Sequence, residues 1–165
     1  MISRRTATLL TVFFGLSISA TVFADPNNGD TAVYKGTAVN ASGVPAKATI
    51  TFSIDRYDPI NHTFIYKTET LFDGTTVPHI TEELTDESGI ANRLILAGLL
   101  QACEADGGKK ETLKVPAGTF KTCRTVSGDH RLTSNFGVVP FGTIKEIDDN
   151  FGTQKTLVSF KYGKK

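Results

Sequence analysis

The sequence predicts a mainly β protein of the α+β class: one curved antiparallel meander sheet, or half-barrel, of about seven or eight strands with a single short helix. Three observations predict it. Long stretches alternate apolar and polar residues, the pattern of strands with one buried side. Short turns rich in Asn, Asp, Gly and Pro separate those stretches, and such turns join antiparallel neighbours. One segment near the middle breaks the alternation.

The first 24 residues stand apart from this pattern. Arg4 and Arg5 precede an apolar run from about Leu9 to Val22, and Val22-Phe23-Ala24 places small or compact residues where a signal peptidase reads them. This is a secretory signal peptide with cleavage expected after Ala24. The run is short for a membrane anchor, which needs about 20 apolar residues, and no basic stop-transfer cluster follows it. The remaining 141 of 165 residues form one exported β domain, residues 25–165. A periplasmic address is expected, with full secretion as the alternative, and no integral membrane span.

In chain order, residues 33–39 read as a strand, and Asn40-Ala41-Ser42-Gly43 supplies the turn to the next. In that next strand Ala48, Ile50, Phe52 and Ile54 share one face, while Thr49, Thr51, Ser53 and Asp55 share the other. After a turn at Asp58-Pro59, residues 62–72 place Phe64, Tyr66 and Phe72 together. Residues 77–84 follow the Asp73-Gly74 turn with weaker patterning. Residues 88–105 carry apolar residues at 90, 94, 97 and 100, spacing that suits a helical stripe closed by Gly107-Gly108, although Leu94-Ile95-Leu96 also fits a buried strand. Residues 111–115 and 119–126 form a hairpin over Pro116-Ala117-Gly118. Residues 136–147 read as one strand, kinked at Pro140 and Gly142. Asp148 to Gly152 make a turn, and residues 155–162 close the sheet with Val158, Phe160 and Tyr162 on a common face.

The cysteines follow from the address. Two thiols in one small exported domain are expected to pair, so Cys103 and Cys123 form a structural disulfide; they lack the C-x-x-C spacing of a redox pair.

Composition excludes several function classes. There are 18 basic and 17 acidic residues, interspersed in sign, with no basic stripe for nucleic acid. Ser127, Asp129 and His130 are too close in sequence to assemble a catalytic triad, and no G-x-S-x-G elbow exists. His62, His79 and His130 have no ligand spacing, so no metal site is expected. Asp148-Asp149-Asn150 begins like a calcium loop, but Ser159 stands where the bidentate glutamate belongs. No nucleotide fingerprint or other cofactor signal is present, and the chain reads as non-catalytic.

The segments ETLKVPAGTFKTC (111–123) and VVPFGTIK (138–145), with the closing TLVSFKYG, resemble a family of uncharacterised bacterial periplasmic β-proteins bearing a V-P-A-G-T-F-x-x-C hairpin and a later V-P-h-G strand. That family is in turn similar to the half-barrel of LolA-like lipoprotein carriers. Such proteins carry a tryptophan or tyrosine ahead of the V-P-h-G strand; here Asn135-Phe136 stands there, and the chain has no tryptophan. The resemblance implies an apolar concavity. Ile50, Phe52, Ile54, Phe64, Tyr66, Phe120 and Phe141 are the candidate lining, more aromatic surface than a thin core needs. The expected occupant is a lipid or other hydrophobic ligand; the alternative is an envelope protein partner bound through the sheet.

Overall fold

A computed structural model describes residues 27–163 apart from 59, 87–91 and 130. The signal segment, the cleavage position and the first residues of the expected helix lie outside the described residues.

Nine antiparallel strands form one sheet: β1 (Thr31–Val39), β2 (Pro45–Asp58), β3 (Thr63–Phe72), β4 (His79–Asp86), β5 (Lys109–Val115), β6 (Gly118–Ser127), β7 (Leu132–Phe136), β8 (Thr143–Asp148) and β9 (Thr153–Lys161). Their order across the sheet is β4-β3-β2-β1-β9-β8-β7-β6-β5. Each strand lies beside its sequence neighbour, except that β1 pairs with β9 at the centre. The edges β4 and β5 are therefore consecutive in sequence, and α1 (Arg93–Ala102), the one helix among the described residues, runs in the connection between them.

The sheet is strongly curled. Between β9 and β6 a flat sheet would span about 14 Å, at roughly 4.8 Å per strand, yet the rings of Phe160 and Phe120 have centroids 6.0 Å apart. Leu113, Val115 and Phe120 from the β5–β6 hairpin consequently pack on the same core as Ala32, Tyr34, Ala48, Ile50, Val139, Ile144 and Leu157. A second, smaller cluster holds Ile54 and Phe64 with Tyr57 and Tyr66, and Phe141 touches both clusters.

Close approach at the centre demands glycine. A Cβ on Gly36 in β1 would run into the backbone carbonyl of Gln154 on the neighbouring β9, so a side chain there would push the two central strands apart.

Two local readings are corrected. First, residues 136–147 are two strands, β7 and β8, rather than one kinked strand. Phe141 and Gly142 adopt φ of 63° and 73°, which reverses the chain, and the loop closes with the Gly137 amide donating to the Gly142 carbonyl oxygen at 2.8 Å. Second, the face of β9 is different. The register shifts between Val33 and Tyr34, which face Ser159 and Leu157 respectively, so Val158 is skipped. Such a bulge changes side-chain parity: Leu157 and Phe160 point inward together, Leu157 with no exposure at all. A similar shift in β2 skips Asp55 and turns Tyr57 inward against Phe64, ring centroids 4.7 Å apart.

The middle segment is the expected helix, over Arg93–Ala102, and the alternative of a buried strand is set aside. Asn92 caps it, its Oδ1 accepting from the Ile95 amide at 2.8 Å. Leu96 is the helix's one fully buried residue, and a Cβ on Gly142 would strike its Cδ2, so the helix rests directly on the β7–β8 loop. Among the described residues no helix is long and apolar enough to cross a membrane.

Candidate functional site

The concave face is set by parity. On β1 it carries Ala32, Tyr34 and Ala38, on β2 Ala46, Ala48, Ile50, Phe52 and Ile54, and on β3 Phe64, Tyr66, Thr70 and Phe72. At its middle the aromatic rings close on one another. Phe52 lies 5.2 Å from Tyr34, 5.6 Å from Tyr66 and 6.0 Å from Phe141, and Tyr66 lies 5.5 Å from Phe141. Edge and tilted contacts at these distances are favourable ring packing.

Burial divides the seven residues selected from sequence. Ile50, Ile54 and Phe64 are buried in the core, whereas Phe52, Tyr66, Phe120 and Phe141 keep partial exposure. Phe52, Tyr66 and Phe141 are brought together, with Ile54 and Phe64 beneath them. Phe120 sits apart, against Phe160. The loop carrying Val139 and Phe141 plugs the middle of the concavity, and the packed rings there form a floor.

Open space lies at the end of the concave face near the β1–β2 turn. A hollow of about 700 Å³ is bounded there by Ala38, Val39, Ala46, Thr70, Phe72, Val77 and His79, with Asn40, Ser42, Asp73 and Thr75 at its rim. Ala38 and Ala46 are directly opposite each other across the β1–β2 pair. Two methyl groups where long side chains could stand leave the space beneath Phe72. A second hollow of about 210 Å³ adjoins it, sharing Ala38 and Val39, and is lined by Ile50, Glu146, Thr153 and Lys155. None of the sequence-selected residues except Ile50 lines either hollow. The available signal was the inward run of small residues, Gly36 and Ala38 facing Ala46 and Ala48, at one end of a strand pair otherwise filled with large apolar residues.

Polar groups on this face are few. Lys155 and Glu146 are cross-strand partners on β9 and β8, Nζ to carboxylate 2.8 Å, both largely shielded from solvent. The same ammonium lies 5.2 Å from the centroid of Phe52 and 6.0 Å from that of Tyr34, within reach of a cation–π attraction. Tyr34 donates its hydroxyl to the Thr143 carbonyl oxygen at 3.1 Å. Burial pushes the Tyr34 phenol well above its ordinary pKa, helped by neighbouring Tyr66 and Glu146. Burial likewise raises Tyr66, with Glu83 adding to it and a hydrogen bond with Thr68 opposing it. Both phenols are therefore neutral hydrogen-bonding groups.

The cysteine pair belongs to the frame of the molecule. Cys103, the C-cap of α1, is bonded to Cys123 in β6 with a Cα–Cα distance of 5.7 Å, and each is 1% exposed. Gly108 closes over the bridge, its amide donating to the Cys103 carbonyl oxygen at 2.7 Å. Among the described residues no group of three or more His, Cys, Asp or Glu side chains converges as a metal site would require. His62 meets the Tyr57 hydroxyl at 3.3 Å, His79 lies at the hollow's edge, and His130 is outside the described residues.

No protein-family model and no curated protein matches the chain. Among solved structures it is similar to a "putative lipoprotein" from Parabacteroides distasonis ATCC 8503, at 11% identity and a TM-score of 0.40, the match covering 84% of this chain and 98% of that one. That degree of likeness assigns neither a family nor a function, and the motif resemblance of the VPAGTF hairpin has no counterpart in these comparisons.

Proposed function

We propose that the protein is an exported, non-catalytic binder of a lipid or other apolar ligand, held on the concave face of the sheet. Support for export is the charged-apolar-small pattern of residues 1–24. Support for binding is one observation above all: a hollow of about 700 Å³ walled by Ala38, Val39, Ala46, Phe72 and Val77, within the roughly 300–1,000 Å³ common for small-molecule pockets. Each methylene placed there contributes about 0.8 kcal/mol, so about ten buried methylenes are needed for micromolar affinity before association costs.

The experiment is saturable titration with a fluorescent long-chain fatty acid. The protein is expected to bind it, and Ala46→Phe, which fills the hollow from the sheet side, is expected to weaken binding by about tenfold or more while leaving the melting temperature nearly unchanged, since about 1.4 kcal/mol of lost burial is one decade in affinity. Unsaturable uptake, or undiminished binding in the variant, overturns the reading. Protein recovered from the periplasmic fraction is expected to begin at Asp25; an uncut chain in the membrane fraction overturns the export part.

The second reading, an adaptor bound through the sheet edge, is favoured by β4. This edge strand is exposed along nearly its whole length, with Ile80 at 47% and Leu84 at 75%, and an open edge is a template for strand addition.

A further inference from the structure

Resting on the apolar-ligand reading above, the geometry points to a ligand with an anionic head group, its acyl tail in the large hollow beneath Phe72 and its carboxylate or phosphate oxygen at Lys155. Three observations carry it. The two hollows are neighbours, sharing Ala38 and Val39 as a common wall, which places the β1–β4 side of the sheet within reach of β8 and β9 for one elongated occupant. The lining changes character along that path. Beneath Phe72 its apolar part is built from alanine, valine and phenylalanine, whereas the smaller hollow is lined by Lys155 and Glu146. Among the described residues lining the two hollows, Lys155 is the only lysine or arginine.

The third observation is how Lys155 is held. Its pairing with Glu146 and its position over the rings of Phe52 and Tyr34 direct the long side chain across the concave face instead of into bulk water. Partial shielding strengthens any further charge pairing made there relative to a fully solvated lysine. Orientation follows from the carboxylates. Asp73 borders the large hollow, which disfavours an anion at that end, while at the other end Glu146 is already neutralised by Lys155. An incoming carboxylate shares the ammonium with Glu146, whose own charge opposes it and moderates the affinity.

The test compares three probes of equal chain length, a fatty acid, its methyl ester and the corresponding alkyl phosphate, by competition against the fluorescent fatty acid on the intact mature protein. The acid and the alkyl phosphate are expected to bind about tenfold or more tighter than the ester, as a charge-assisted contact implies. In Lys155→Met that preference is expected to vanish, with ester affinity unchanged. In Glu146→Gln, which removes the competing carboxylate and keeps its shape, the acid is expected to bind several-fold tighter and the ester as before. Melting temperatures of both variants show whether each is folded, and Glu146→Gln decides the matter should Lys155→Met unfold. Equal binding of acid and ester by the native protein, or no gain for the acid in Glu146→Gln, overturns the head-group assignment while the apolar-ligand reading stands. Failure of all three probes to bind overturns that reading itself.

Discussion

Replacing Cys103 and Cys123 together by serine is expected to destabilise the protein by about 3 kcal/mol and to lower its melting temperature by about 10 °C. The two residues are 20 positions apart, and in the chain-entropy model opening a loop of that size returns roughly 3 kcal/mol of freedom to the unfolded state. For a domain of this size 1 kcal/mol corresponds to about 3–5 °C. The bridge does more than close a loop. It ties the end of α1 to β6, next to edge strand β5, where the helix itself buries only Leu96 completely. Serine hydroxyls at two positions 1% exposed add the cost of burying polar groups unless they bond to each other. Thermal unfolding of the native and double-variant proteins checks this, alongside alkylation without reductant, which is expected to label no thiol in the native protein. A melting temperature within 2 °C of native, or two labels on the unreduced chain, contradicts the prediction.

Leu157→Ala is expected to cost about 2–5 kcal/mol, as deletions from a closed core do, while Val158→Ala costs less than about 1 kcal/mol. Plain alternation assigns the inner face to Val158, Phe160 and Tyr162, whereas the skipped residue between the Ser159 and Leu157 pairings puts Leu157 inside, fully buried against the partners of Tyr34. Chemical denaturation of the two variants measures the difference directly. Equal costs, or a larger one at Val158, would mean that the strand runs without the bulge.

Much of the architecture is legible in the sequence. The face of Ala48, Ile50, Phe52 and Ile54 in β2 follows from period-two alternation because one side of that strand is buried and the other solvated. The hairpins at Asn40–Val44 and Pro116-Ala117 were legible because turn residues have local conformational preferences: the Asn40 side chain accepts from the Ser42 and Val44 amides within its own loop. The split of residues 136–147 was harder to see. Its turn relies on a positive φ at Phe141, a conformation no one expects of a bulky residue, and which the packing of that ring against Phe52 and Tyr66 holds in place.

The candidate site was legible only in part. Sequence patterning identifies residues that leave water, and Phe52, Phe64 and Tyr66 do face inward. It does not say whether inward residues meet one another or surround a space. Tertiary packing decided that: the β7–β8 loop fills the middle of the concavity, and the opening lies instead where Ala38 and Ala46 oppose each other.

By itself the sequence determined the strand-rich class, the inward face of each strand without a bulge, most of the turns and one helix, all properties set by neighbours within a few residues. Only the tertiary structure decided that β1 and β9 meet at the centre, that bulges reverse side-chain parity in β2 and β9, and that Lys155 pairs with Glu146 on the adjacent strand. The β1–β9 pairing and its bulge join residues more than a hundred positions apart, the β2 bulge and the Lys155–Glu146 pair depend on the register of neighbouring strands, and the curled sheet divides its interior between packed rings and empty volume; a local pattern carries no term for any of these.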